Sequence, residues 1–279
     1  MKARRRFTGA VSAYASLIAI AVGLLFGLAI LLISNPAQAF TGLRVILLGG
    51  FNGGAKGVGQ VLYYATPIIM TGLSVGFAFK TGLFNIGAAG QLMVGSFAAV
   101  YVGVRWTFLP GGLHWFVGLL AAIVMGGLWG LVPGLFKAFL NVNEVISSIM
   151  MNYIGMYGVN AMVRATVYDQ LKNQSLNVAA TAVIPKWGLD KVFYSMRGAA
   201  VDASLVNAGI FIALFAAVFI YVLLNRTTFG YELKACGYNR EASRYAGINE
   251  KRSIALSMAI AGMLAGAAGA LMYLAPANG

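Results

Sequence analysis

The chain has 279 residues, of which 60% are apolar and 10% charged, with a formal net charge of +13. Soluble proteins carry roughly 25% charged residues, so a soluble globule of this size would lack polar cover; a disordered chain, a disulfide scaffold and, for want of a three-residue glycine period, collagen are excluded too. A bilayer is the solvent that fits.

The charges fall in clusters, and the gaps between them have the length of membrane spans. In chain order the charge-free runs are Phe7 to Leu43, Gly57 to Phe79, Thr81 to Val104, Trp106 to Phe136, Val145 to Val163, Ala203 to Asn225 and Ser253 to Gly279. A crossing takes about 20 apolar residues. The prediction is an all-α, polytopic helical membrane protein with about seven transmembrane helices and no separate soluble domain.

The apolar stretch Val11 to Ile33 exceeds the ~7–15 residues of a signal-peptide core, so the first span is read as retained. It ends near Ser34-Asn35-Pro36, and the glycine-rich Gly49 to Gly54 reads as a flexible turn. The second helix, Val61 to Phe79, contains Pro67, which a span tolerates when neighbours satisfy the freed carbonyl. The fourth, His114 to about Phe136, places Gly126, Gly130 and Gly134 on one face. Gly23 and Gly27, and Gly262 and Gly266, repeat that spacing, which lets helices approach closely.

The segment Lys80 to Gln91, KTGLFNIGAAGQ, resists both simple readings. As an aqueous loop through Gly90 it leaves the third helix too short to cross. As continuous helix it places Gly82, Gly87 and Gly90 at interior positions, each costing about 1 kcal/mol against Ala. A broken or re-entrant segment is the reading adopted, because irregular backbone at membrane depth is tolerated where it lines a cavity or is buried in protein. Transporters build substrate sites from such breaks. A kinked packing helix is the competing reading.

A second cluster, Leu140 to Tyr153, opens a span with Asn143 as helix cap and Glu144 matching the helix dipole. A gating role for the pair is the alternative. The third cluster, Arg226 to Arg252, is the only sizeable inner loop. Within it Asn239 to Ala246 reads as a short amphipathic helix, capped by Asn239 and ended at Gly247. Tyr238, Ala242, Tyr245, Ala246 and Ile248 give it a mixed face, and so short a helix wants a partner surface.

With the N-terminus in the cytoplasm, inner segments hold twelve Lys and Arg and outer ones eight, the asymmetry expected of cytoplasmic loops. The net charge then reflects topology and anionic lipid, not nucleic-acid binding. One histidine, His114, and one cysteine, Cys236, make neither a metal site nor an intrachain disulfide. No Gly-Lys dipeptide occurs, so no Walker-type phosphate loop is present. Any ATP is bound by another chain, and no cofactor is expected in this one.

At these three clusters the chain resembles the permease subunits of bacterial ABC importers in the branched-chain amino acid, ribose and nucleoside group, most closely the nucleoside branch. The motifs that carry the likeness are Gly-Leu-Phe-Asn-Ile-Gly-x-x-Gly-Gln at Gly82 to Gln91, Asn-Val-Asn-Glu-Val-Ile-Ser at Asn141 to Ser147, and Gly-x-Asn-x-x-Ala-x-x-Tyr-Ala-Gly-Ile at Gly237 to Ile248. Ala89 stands where the family often has Glu, so that carboxylate's role is absent here. The likeness runs through the whole chain as one permease domain, residues 1–279, and implies further spans beyond Gly279.

The resemblance implies a bacterial inner-membrane subunit that does no covalent chemistry. It implies a cytoplasmic ABC ATPase, a second related permease and an extracytoplasmic substrate-binding lipoprotein as partners, with a nucleoside as substrate. Phe84, Asn85, Gly87 and Gln91 would line the pathway. Gly237, Asn239, Ala242, Tyr245, Ala246, Gly247 and Ile248, within the loop 226–252, would couple to the ATPase. Simple sugars or branched-chain amino acids are alternative substrates. A secondary transporter is a second alternative, opposed by acids that all lie at run boundaries or in loops.

Overall fold

The computed structural model describes residues 2–197 and 200–275, so Pro276 to Gly279, the end of the last predicted run, lie outside the described residues. The chain divides into two compact units, Met1–Val58 and Gly59–Gly279.

The first unit holds α1 (Lys2–Ser34) and α2 (Ala39–Asn52). The reading of Gly49 to Gly54 as a flexible turn is corrected. Helix α2 runs on through Gly49 and Gly50, and the break comes at Gly53 and Gly54, the latter at φ +59°. Gly23 and Gly27, read as a close-packing stripe, meet nothing within 4 Å.

The second unit is built from α3 (Gly54–Lys80, entering at Gly59), α4 (Ala88–Arg105), α5 (Gly111–Leu140), α6 (Glu144–Thr166), α7 (Gly209–Arg226), α8 (Thr228–Tyr238), α9 (Arg240–Tyr245) and α10 (Glu250–Tyr273). Among the described residues five helical stretches are long and apolar enough to cross a membrane: 14–34, 54–80, 111–140, 209–226 and 250–273. Helices α4 and α6 fall outside that set. Gln91 and Arg105 lower the apolarity of the first, and Glu144, Asn152, Asn160 and Arg164 that of the second.

Helix α10 is the central element, 83% buried over its most apolar window, against 22% for α7. The reason is its sequence, AIAGMLAGAAGA, whose small side chains let neighbours come within backbone contact. A Cβ on Gly126 would lie 2.6 Å from Gly266 Cα, and one on Gly130 would lie 3.0 Å from Gly262 Cα. One on Gly95 of α4 would sit 2.8 Å from Gly266 O. The glycine stripes of α5 and α10 thus face each other, the close approach their four-residue spacing permits.

Between α6 and α7 the chain forms two short antiparallel hairpins, which the all-α reading did not anticipate. Strand β1 (Tyr168–Asp169) pairs with β2 (Gln174–Ser175), and β3 (Tyr194–Arg197) with β4 (Ala200–Ala203). Backbone bonds tie this region to the helix ends, including Ala179 N–H to Gly103 O and Ile184 N–H to Leu274 O, both 2.9 Å. Fully buried His114 adds a side-chain tie, its ring nitrogens 2.8 Å from Thr181 Oγ1 and 3.0 Å from Val102 O.

Candidate functional site: a broken helix and its anchors

Helix α3 stops at Lys80 because the next residues form a Schellman cap. The Leu83 N–H donates to Ala78 O at 2.9 Å, and the Gly82 N–H to Phe79 O at 3.2 Å. This closure needs a left-handed residue, and Gly82 supplies it at φ +74°. Residues 81–87 then run without regular helix until α4 starts at Ala88. The break expected from the Gly and Asn content is therefore present, and much of it is buried, with Leu83 3% and Asn85 1% exposed.

Buried polar groups hold the break in shape. Asn85 Nδ2 donates to Gln91 Oε1 at 2.8 Å, and Gln91 Nε2 returns a bond to Asn85 Oδ1 at 3.0 Å. Asn85 Nδ2 also reaches Ser74 Oγ at 3.2 Å, whose own hydroxyl donates to Ala261 O of α10 at 2.7 Å. Gly87 sits over this pair, where a Cβ would lie 3.2 Å from both Asn85 Oδ1 and Gln91 Nε2. Phe84 is more open, 36% exposed, and its ring packs 4.7 Å from that of Phe79.

Two anchors escaped the sequence reading. Asn152 of α6 donates through Nδ2 to Ile86 O at 3.0 Å and accepts the Gly90 N–H at 2.8 Å. It thereby pins both ends of the stretch 86–90 to α6. Ser148, one turn earlier, lies beside Gly87, with its hydroxyl buried and without a hydrogen-bond partner among the described residues. Both residues stand in the stretch LNVNEVISSIMMNY, and a polar residue every fourth position was the available signal.

The third cluster meets the first through bare backbone. A Cβ on Gly237, at the end of α8, would lie 2.7 Å from Gly82 N, and one on Gly82 would lie 2.6 Å from Gly237 O. Only paired glycines allow that approach. Beyond it, Asn239 Oδ1 accepts the Ala242 N–H at 3.0 Å and caps α9. A second Schellman closure, Ile248 N–H to Ser243 O at 3.0 Å, ends α9 with Gly247 at φ +80°. Ala242, Tyr245, Ala246 and Gly247 are exposed, Tyr245 at 92%, and Ile248 is half-buried. The loop also contains α8, an eleven-residue helix that was not expected, and Cys236 on it is buried.

The second cluster closes the same end. Asn143 Oδ1 accepts the Val145 N–H at 2.9 Å, the cap that was expected. Glu144 pairs with Lys137 of α5 at 2.9 Å. Lys251 of α10 lies 5.2 Å from the Phe139 ring centre. The break, the cap and the α8–α9 loop thus share one end of the bundle. Among the described residues no cluster of His, Cys, Asp or Glu is placed to hold a metal.

Residues 57–279 match the family described as branched-chain amino acid transport system, permease component. The chain is 41% identical to the guanosine ABC transporter permease protein NupP of Bacillus subtilis, over 91% of its own length and 70% of that protein. It is 34% identical to the nucleoside ABC transporter permease protein NupB of Lactococcus lactis, over 91% and 68%. It is 31% identical to the glucose ABC transporter permease protein TsgB13 of Haloferax volcanii, over 80% and 58%. No solved structure matches.

Proposed function

This chain belongs to the permease components of branched-chain amino acid transport systems, and from that membership we propose that it carries nucleosides inward as one subunit of an ATP-driven importer. It is a transport subunit of the cell membrane, not an enzyme. The observation that carries the nucleoside reading is the match to the guanosine and nucleoside permeases across nine-tenths of the chain. A simple-sugar substrate is the second reading, supported by the weaker match to the glucose permease.

In this proposal α4 and α6 cross the membrane beside the five longer stretches, making about seven crossings, with the N-terminus cytoplasmic. Of the polar groups that exclude these two helices from the apolar set, Gln91 and Asn152 hold the break, which buried protein surroundings tolerate. Phe84, Asn85, Gly87 and Gln91 form the pathway segment. Gly237 to Ile248 docks a cytoplasmic ATPase, which supplies all nucleotide chemistry. A second permease subunit and an extracytoplasmic substrate-binding lipoprotein complete the assembly. Because Gly82 and Gly237 touch through backbone, a displacement of the docked loop moves the break with little slack.

The test is uptake by the complete complex in proteoliposomes with ATP inside. Tritiated guanosine should accumulate, unlabelled uridine or adenosine should compete, and ribose, glucose and leucine should not. Accumulation of glucose or leucine without guanosine would refute the nucleoside reading.

A further inference from the structure

A cleft of about 370 Å³ opens at the hairpin end of the second unit, between α4, α6 and the β1–β2 hairpin. A second cavity of about 420 Å³ adjoins it, and the two share Val100, Gln174, Ser175 and Tyr273. Ligand sites of small molecules fall in the range of roughly 300–1,000 Å³. This end lies opposite the Gly82–Gly237 contact. Helix α6 joins the two ends, running from Glu144 beside Lys137 to Thr166 before the hairpin, about 34 Å at 1.5 Å per residue.

The lining combines two kinds of group. Phe97, Tyr168 and Tyr273 present aromatic surface. Asn160, Arg164 and Gln174, all exposed, present an amide, a guanidinium and a second amide at the cleft, none of them taken up by a hydrogen-bond or ion-pair partner among the described residues. Asn160 and Arg164 lie one turn apart on α6. Both are exposed and lie in the last two turns of α6 before the hairpin, so their polar groups are free to meet a ligand entering the cleft.

The geometry points to a binding site for a nucleoside in this cleft, the station a substrate meets before the break. Its base would lie against the aromatic rings, as bases do on tyrosine and phenylalanine. A guanidinium and carboxamides match the ring-nitrogen and carbonyl acceptors of a base edge, and Asn160 and Gln174 also suit ribose hydroxyls. The cleft holds no acidic residue and one arginine, which fits a neutral, acceptor-rich ligand and disfavours a cationic one. The assignment rests on the nucleoside reading of the protein and adds a position to it, separate from Asn85 and Gln91.

The test uses the complete complex in proteoliposomes and tritiated guanosine. Asn160→Ala, Arg164→Gln and Tyr273→Ala should each raise KM for uptake at least fivefold, with thermal stability and ATP hydrolysis in the absence of nucleoside unchanged. Gln174→Ala, on the exposed hairpin, supplies the same readout without altering a helix. Irradiation with 8-azidoguanosine should label peptides of α4, α6 or the hairpin, and excess guanosine should suppress the labelling. Guanosine uptake with unaltered KM in all four variants, or labelling confined to other helices, overturns the cleft and leaves the nucleoside reading standing. Absence of nucleoside uptake by the unaltered complex overturns both.

Discussion

Replacing Asn85 by leucine tests what the break depends on. The leucine is similar in volume, so little cavity is created. What is lost is a carboxamide making three hydrogen bonds, two of them reciprocal with Gln91. Ser74 keeps its bond to the Ala261 carbonyl. Gln91 fares worse, because its Oε1 and Nε2 stay in a site 1% exposed with no partner. An unpaired buried polar group costs about 1–3 kcal/mol, so two orphaned groups bring roughly 2–6 kcal/mol. Side-chain hydrogen bonds inside membrane bundles are worth about 0.6–2 kcal/mol each, which pulls the expectation toward the lower half of that range. Adding Gln91→Leu removes both partners at once, and the double variant should return to near the stability of the unaltered protein. The coupling between the two sites should be about 1–3 kcal/mol. The assay is denaturant unfolding of the purified protein in mixed micelles, read for both single variants and the double, with guanosine uptake measured in parallel. Full stability in Asn85→Leu, or a double variant as unstable as the sum of the singles, would refute the paired-amide account. A double variant that is stable yet fails to transport would show that these amides also serve the pathway.

Three further outcomes are expected. Gly262→Leu drives a side chain into the Gly126 carbonyl and the Gly130 backbone; overpacking of this kind costs about 1–3 kcal/mol, and the thermal midpoint should fall, whereas Gly23→Leu should leave it unchanged. Ala242→Glu places a charge on the exposed face of α9, and desolvating it in a docked interface should weaken ATPase association by about 2–3 kcal/mol; co-purification and uptake should drop while membrane insertion persists, and normal co-purification would show a merely solvated loop. Cys236 is buried and 4% exposed, so sidedness is read from Tyr238→Cys, a site 89% exposed, and Asn177→Cys, each in a Cys236→Ser background; a membrane-impermeant thiol reagent on intact cells should label position 177 only, and labelling of 238 alone would reverse the proposed topology.

Composition and short-range spacing were enough for much of this molecule. Runs free of charge marked the long apolar helices, because lipid admits few charges. The glycines four apart on α5 and α10 lie on one face of any helix, so a closely packed face was legible on each before its partner was known. The caps at Asn143 and Asn239 span two or three residues and depend on local backbone alone. The interruption after Lys80 was visible because Gly82 and Asn85 disfavour continuing a helix. Contacts between distant residues depended on how the chain returns on itself. Asn85 and Gln91 pair because the break reverses direction, Asn152 reaches Ile86 and Gly90 from another helix, and Gly82 meets Gly237 across most of the chain. Nothing in the local sequence of Asn160 and Arg164 distinguishes them from the polar end of a helix; only the hairpin folded over them makes a cleft. The same holds for Cys236, which a charged loop would expose and which α8 turns inward. Side-chain and backbone chemistry within one helical turn set the elements, whereas the partners of each buried polar group were decided by packing over long sequence separations.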